Sequence, residues 1–221
     1  MKRFFAIFLI GIAVAAGVLF ANGRNEPEAP ELPTERIAQA PVIGTDILLI
    51  NASNPLPNGF RPDRLVNLYE QENRCFQLSR ADIVLSETVL EAMNAMFAAA
   101  QRDGVSGFII NSGYRSYSQQ AEVYANATEG IAARPGTSEH ETGLAFDVTA
   151  KGKRDFELTP QFAWLSKHCG EYGFILRYPK GQEHITGYPY EPWHYRYIGL
   201  PHSKAIMDMR LTLEEYLGRL A

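Results

Sequence analysis

The sequence predicts an α+β domain, a small central antiparallel sheet flanked by helices, behind a single N-terminal transmembrane or signal segment. Three observations point there. Helical periodicities with their own capping residues stand early and late in the chain. Short apolar or alternating runs stand between them and read as strands. An unbroken apolar stretch, residues 4–21, opens the chain behind Lys2 and Arg3. Helices, then short strands, then helices again is the order of an α+β domain rather than of alternating crossover units.

Residues 1–21 come first. The apolar run is longer than an ordinary signal-peptide core and close to the lower limit for crossing a bilayer. Cleavage after Ala21 would set Leu19 where a small residue is wanted, and Ala13-Val14-Ala15 falls too early in the run. These features favour an uncleaved signal-anchor with its basic end in the cytoplasm over a cleaved signal peptide. Either way the remaining chain is expected outside the cytoplasm. Residues 22–42, with Pro27, Pro30, Pro33 and Pro41, bury little and read as an extended linker. The folded domain is expected over residues 43–221.

Within it, residues 47–50 read as a short apolar strand and residues 54–64 as a turn-rich connection. Ser86 stands before a helix whose Val89, Leu90, Met93, Met96, Phe97 and Ala100 recur at helical spacing up to Gly104. The Met and Phe stripe is read as core. Residues 108–110 form a buried strand. Ser116 and Gln119 have capping-box spacing, so a helix is expected from Tyr117 to about Glu129, ended by Gly130. Leu144, Phe146 and Val148 alternate with Ala145, Asp147 and Thr149, which predicts a half-buried strand after the turn at Gly143. Thr159-Pro160 opens a helix carrying Phe162, Trp164 and Leu165 and ending at Gly170. Residues 173–178 and 193–198 are further strands. Thr212 and Glu215 box-cap a last helix ending near Gly218.

The chain has 221 residues and a formal net charge of −4. That charge argues against a nucleic-acid partner, because such domains carry a basic stripe. Its two cysteines, Cys75 and Cys169, suit an oxidising compartment. Pairing would close a long loop and stabilise by about 3–5 kcal/mol; two separate buried thiols are the alternative, and spacing does not choose between them.

The chemistry gathers on one stretch, P-G-T-S-E-H-E-T-G-L-A-F-D at 135–147. His140 and Asp147 are both metal-ligating side chains, one on a loop entering a strand and the other on that strand. A catalytic zinc site takes three protein ligands and keeps a position open, and His194 in E-P-W-H-Y-R-Y is the candidate third. Zn2+ held by His140, Asp147 and His194 would acidify a water and polarise a carbonyl. Glu191 is the candidate general base. A regular strand would put it on the face opposite His194, but Pro192 cannot continue a ladder, so Glu191 is expected in the preceding turn, bent back. Arg115, between a strand end and a helix start, offers a fork for a substrate carboxylate. A carboxylate held there would select a free C-terminus, hence an exopeptidase. His168 is read as a surface or packing residue and His202 as a cap for the next helix; Tyr195 and Tyr197 are read as core or pocket wall, not as nucleophiles. Trp193 either packs under His194 or lines the site. A serine mechanism is disfavoured, since neither Ser-x-x-Lys nor Lys-Thr-Gly occurs in the chain.

S-G-Y-R-S-Y at 112–117, S-E-H-E-T-G-L-A-F-D at 138–147 and E-P-W-H-Y-R-Y at 191–197, in that order, resemble the zinc D-alanyl-D-alanine carboxypeptidases of the VanY type. The likeness extends from about residue 48 to residue 217. It implies a hedgehog- or DD-peptidase-like fold with the zinc site on the sheet. It implies His140, Asp147 and His194 as zinc ligands and Glu191 as base. It also implies Arg115 near the substrate carboxylate, with Gln120 and Ser138 lining the pocket. The substrate would be the stem peptide of peptidoglycan or its precursors. An L,D-carboxypeptidase, a dipeptidase or an endopeptidase on the same peptides would use the same metal chemistry, and a wall-binding module with a non-catalytic metal is a third reading.

Overall fold

A computed structural model describes residues 47–128, 131–152 and 155–220. The expected signal-anchor, the linker, the start of the domain at residue 43 and the helix-ending Gly130 lie outside the described residues. Among the described residues no helix is long and apolar enough to cross a membrane.

The elements in chain order are β1 (Leu65–Asn67), β2 (Gln77–Leu78), β3 (Val84–Ser86), α1 (Glu87–Arg102), β4 (Phe108–Ser112) and α2 (Tyr117–Asn126). They continue with β5 (Ala145–Ala150), α3 (Pro160–His168), β6 (Phe174–Leu176), α4 (Glu183–Thr186), β7 (His194–Tyr197), α5 (His202–Met209) and α6 (Leu213–Leu220). The fold is thus α+β. Its main sheet has the order β2-β4-β5-β7-β6, and β1 pairs with β3 in a separate two-stranded sheet. The expectation of an antiparallel sheet holds for β4 through β7, but β2 joins β4 in parallel. Strands of two or three residues are too short to show a period, which is why β1, β2 and β3 escape a reading by pattern.

Residues 47–50 are not a strand. Ile50 is buried, and Asn51 bridges back to Asn54 in a tight turn. α2 stops at Asn126, short of the expected Glu129, because Ala127 turns to an extended backbone. α3 stops at His168 and continues as a 3-10 turn, Cys169–Tyr172, with the left-handed residue at Gly173 instead of Gly170. Residues 181–187 contain α4. α6 runs through Gly218 to Leu220. Cys75 and Cys169 are both free. Burial pushes the Cys169 thiol up to about 12, so it packs as a small apolar group.

The predicted caps sit where expected. Ser116 and Gln119 form a reciprocal box, Thr159 accepts from the Phe162 amide, and Thr212 and Glu215 exchange hydrogen bonds. Ser86 stands at the N-cap of α1, immediately before Glu87, but its hydroxyl makes no capping bond.

The core forms where the apolar stripe of α1 meets the sheet. Val89, Leu90, Met93, Met96, Phe97 and Ala100 are all buried. Phe97 stacks on Phe108 at 4.4 Å and meets Phe76 and Phe146 at 5.7 and 6.3 Å between ring centres. Phe146 in turn packs on Phe174 and Tyr195. This apolar layer supports one side of β5 and β7. Truncating Phe97 to Ala opens a cavity at its centre and is expected to cost about 3–5 kcal/mol, read as a lowered midpoint in chemical denaturation. A loss under 1 kcal/mol would mean that the ring is not central to the core.

Candidate metal centre and substrate cleft

The site begins with a turn. Residues Glu139–Thr142 form a single 3-10 turn. Its entry is fixed by the Glu141 carboxylate, which accepts from the amides of Gly136 at 2.8 Å and Ser138 at 3.3 Å. Gly143 closes it at φ 72°, a left-handed conformation that favours glycine, and a β-carbon there would come within 2.9 Å of Leu65. The chain then enters β5, which carries Asp147. β7 lies antiparallel beside β5 in a register that sets Asp147 directly opposite His194.

Three side chains distant in sequence meet as a result. His194 Nδ1 lies 3.1 Å from Asp147 Oδ1, and His140 Nε2 lies 3.5 Å from the same oxygen. The two imidazoles stand edge to face, 4.9 Å between centres. One ligand atom from each residue falls within 4.8 Å of the others, compact enough for one cation. Two imidazole nitrogens and one carboxylate oxygen are a donor set that suits zinc with an open position.

The hydrogen bonds also determine which ring nitrogen faces inward. His140 Nδ1–H donates to the Gly113 carbonyl at 2.7 Å, so Nε2 presents its lone pair to the site. His194 faces the site through Nδ1, and its Nε2 lies 3.3 Å from Glu139 Oε2. Burial lowers the His140 pKa, against the pull of Asp147. Burial would lower His194 too, but hydrogen bonds to Asp147 and Glu139 outweigh it and raise the pKa to about 9. Asp147 is held well below the usual carboxylate range, because its two histidine partners outweigh the opposing effect of burial.

Glu191 sits in the turn before β7, as the proline argument requires. Its amide donates to the Tyr178 carbonyl, and its carbonyl accepts from the His194 amide. The carboxylate returns to within 3.8 Å of His194 Nδ1. Burial raises its pKa, partly offset by His194.

These groups open onto a cleft of about 260 Å³. Arg115, Gln120, Ser138 and Trp193 all line it. Of the two positions considered for Trp193, the structure shows the cleft wall, and the residue is 42% exposed. Arg115 is anchored through its backbone amide on the His140 carbonyl, and its buried Nε has no hydrogen-bond partner. Gln120 is buried, donating to the Ala133 carbonyl at 2.7 Å with its own oxygen unpartnered. Tyr195 belongs to the core, and the half-buried Tyr197 packs against it. His168 pairs with Glu171 at 3.1 Å.

Reading by motif missed Glu139, Arg177, Arg196 and Glu214. Glu139 is buried beneath His194. Arg177 Nε donates to Glu139 Oε1 at 2.7 Å, while its two terminal nitrogens grip Glu214 at 2.9 and 2.7 Å. Arg196 Nη1 lies 3.0 Å from Glu139 Oε1, a charge contact without hydrogen-bond alignment. The signal was present: an arginine in each of the expected strands, F-I-L-R-Y and H-Y-R-Y, demands a counter-charge if that strand is buried.

A family model described as VanY, D-alanyl-D-alanine carboxypeptidase, matches residues 82–200, more than half of the chain. The chain belongs to the VanY family. The match takes in every residue of the triad, Glu191 and Arg115. Among VanY relatives, a D-alanyl-D-alanine carboxypeptidase of Enterococcus faecium is 36% identical over 198 residues, covering 89% of this chain. The match spans 65% of that protein, just under two thirds of its length. Among solved structures, the LdcB LD-carboxypeptidase superposes with a TM-score of 0.69 at 35% identity, over 79% of this chain and 86% of that one. A VanY D,D-pentapeptidase mutant from a VanB-type resistance cassette, in complex with Zn(II), gives 0.63 at 33% identity, over 78% and 99%. The fold is therefore that of the VanY peptidases, with the triad on the sheet.

Gly113 gives the site a direct structural test. A β-carbon there would collide with the Val84 carbonyl oxygen and sit 3.0 Å from Ile83. Gly113→Ala is expected to lose about 1–3 kcal/mol of stability and to displace the carbonyl that orients His140. Thermal unfolding with and without added zinc would show both effects, as a lower midpoint and a smaller zinc-induced rise. An unchanged zinc-induced rise would contradict the role given to this carbonyl.

Proposed function

We propose that this protein is a zinc-dependent D-alanyl-D-alanine carboxypeptidase that removes the C-terminal D-alanine from peptidoglycan stem peptides. We propose further that it works outside the cytoplasm, tethered to the membrane by residues 1–21. The observation that carries the activity is the convergence of His140, Asp147 and His194 at one point, with the Glu191 carboxylate 3.8 Å from His194 and Arg115 lining the same cleft. Membership of the VanY family and the likeness to a zinc-bound D,D-pentapeptidase support it. The basic residues and apolar run at the N-terminus support the tether.

The two imidazoles and the Asp147 carboxylate would hold the zinc, which when bound would supply Lewis acidity to acidify a water and polarise a carbonyl. The protein's own groups do the rest. Arg115 receives the terminal carboxylate of the substrate, and its unpartnered Nε offers a donor for it. That contact sets which peptide bond reaches the base. The free carbonyl oxygen of Gln120 can accept a substrate amide N–H, and Ser138 lines the wall beside it. Glu191 takes a proton from the attacking water and returns it to the departing amine as the C–N bond breaks. Burial, which raises the Glu191 pKa, helps it hold that proton between the two transfers.

The likeness to an LD-carboxypeptidase supports a second reading, in which the scissile bond follows an L-centre of a tetrapeptide. Turnover of a D-Ala-D-Ala-terminated pentapeptide against the matching tetrapeptide decides between the two. Faster pentapeptide turnover is expected.

Chelation is expected to abolish D-alanine release and zinc to restore it, and chelator-resistant release would refute the metal mechanism. Glu191→Gln should lose about 10²-fold or more in kcat without losing substrate binding, whereas a wall-binding module would have no turnover to lose. Arg115→Lys, which keeps the charge but not the planar fork, is expected to raise KM about tenfold or more for a free C-terminus. A substrate amidated at that carboxylate should be poor for wild type and variant alike.

A further inference from the structure

A metal-binding imidazole has a second ring nitrogen, and the group that this nitrogen touches fixes the ring. For His140 that group is the backbone carbonyl of Gly113. For His194 it is a side chain, Glu139, which is the residue immediately before His140 and contributes no atom to the triad. Its Oε2 faces His194 Nε2 at 3.3 Å. Its other oxygen, Oε1, is pinned by Arg177 Nε at 2.7 Å and lies 3.0 Å from Arg196. Arg177 is itself held by both oxygens of Glu214 on α6. Glu214 takes a further hydrogen bond from Asn51, and Arg196 donates to the Leu48 carbonyl at 3.0 Å.

We propose that Glu139 is a positioning residue for the metal centre, and that Arg177 and Glu214 extend this function to the C-terminal helix. Glu139 turns His194 so that Nδ1 faces Asp147 and fixes the tautomer whose Nδ1 carries the lone pair. It increases the electron density of the ring as a ligand. Arg177 keeps the Glu139 carboxylate from rotating, and Glu214 keeps Arg177 in place. α6 therefore belongs to the metal site although it contributes nothing to the cleft. A network serving stability alone would be an uneconomical device, since buried ion pairs stabilise little against apolar replacements. Abutting a metal ligand with its carboxylate is what stability alone does not require.

This inference rests on the zinc site proposed above, and it is tested by metal affinity instead of turnover. Glu139→Gln and Glu214→Gln would be made in the full chain. Each would be checked for folding by circular dichroism and titrated with zinc against a chromogenic chelator. Each would also be loaded with Co(II) for its visible absorption spectrum. Glu139→Gln is expected to weaken zinc binding about 10–100-fold and to shift the Co(II) bands. Glu214→Gln should weaken it by a smaller factor in the same direction. Glu191→Gln, run alongside, should lose turnover at unchanged zinc affinity, so a failure of the peptidase reading appears in turnover and a failure of this inference in affinity. Wild-type zinc affinity and Co(II) spectrum in folded Glu139→Gln would overturn the positioning function, and the same result in Glu214→Gln would overturn its extension to α6. Should Glu139→Gln fail to fold, Glu139→Asp, which keeps the charge but shortens the reach to His194, stands in its place with the same two outcomes.

Discussion

Much of this molecule turns on the register between β5 and β7. Asp147 and His194 are cross-strand partners in that ladder, so their side chains project on one face at a separation the backbone imposes. Side chains alternate along a strand with a period of two. A slip of one residue would send Asp147 to the face that packs on α1 and bring Phe146 or Val148 to the site. What prevents the slip is the apolar layer beneath: Phe146 between Phe97, Phe174 and Tyr195 cannot change face without exposing the core. Core packing and metal chemistry are thus opposite faces of the same two strands. The 3-10 turn before β5 then delivers His140 to the same point.

The buried charges follow a consistent accounting. Glu139 and Glu214 carry two negative charges, Arg177 and Arg196 two positive ones, and all four meet in one chain of contacts. Removing any one leaves another uncompensated in a low-dielectric interior, which is costly. Arg177 is completely buried, and its pKa is raised because its carboxylate partners outweigh burial. Such a cluster contributes little net stability, but it permits only a narrow set of side-chain orientations. That narrowness is valuable beside a ring whose orientation decides whether a cation is held.

The sequence disclosed what is written in local pattern and in motif. The stripe on α1, the alternation of β5, the boxes at Ser116 and Thr212 and the proline-assisted start at Thr159 all have short-range physical causes. The candidate ligand set was legible because His140, Asp147 and His194 lie in distinctive surroundings, and the bend at Glu191 because proline cannot continue a ladder. What stayed hidden depends on long-range contact. Residues 47–50 resemble a strand in composition, yet their partners are a loop carbonyl for Arg196 and a self-closed turn at Asn51. β2 has only two residues, and its parallel pairing comes from a crossover through α1 that no local signal encodes. Glu139 adjoins His140 in an obvious motif, but its meaning lies in Arg177 and Arg196, which only the tertiary fold brings near.

The two tryptophans of the chain occupy contrasting environments. Trp164 is buried, with its indole N–H bound to Asp103 at 2.8 Å, on an element that contributes nothing to the cleft. Trp193 stands half in solvent on the cleft wall, directly before a metal-site histidine in the chain. The protein therefore carries its own optical probe. One indole emits from a constant, shielded environment, and the other senses what enters the cleft, so occupancy can be followed by intrinsic fluorescence without attaching a dye.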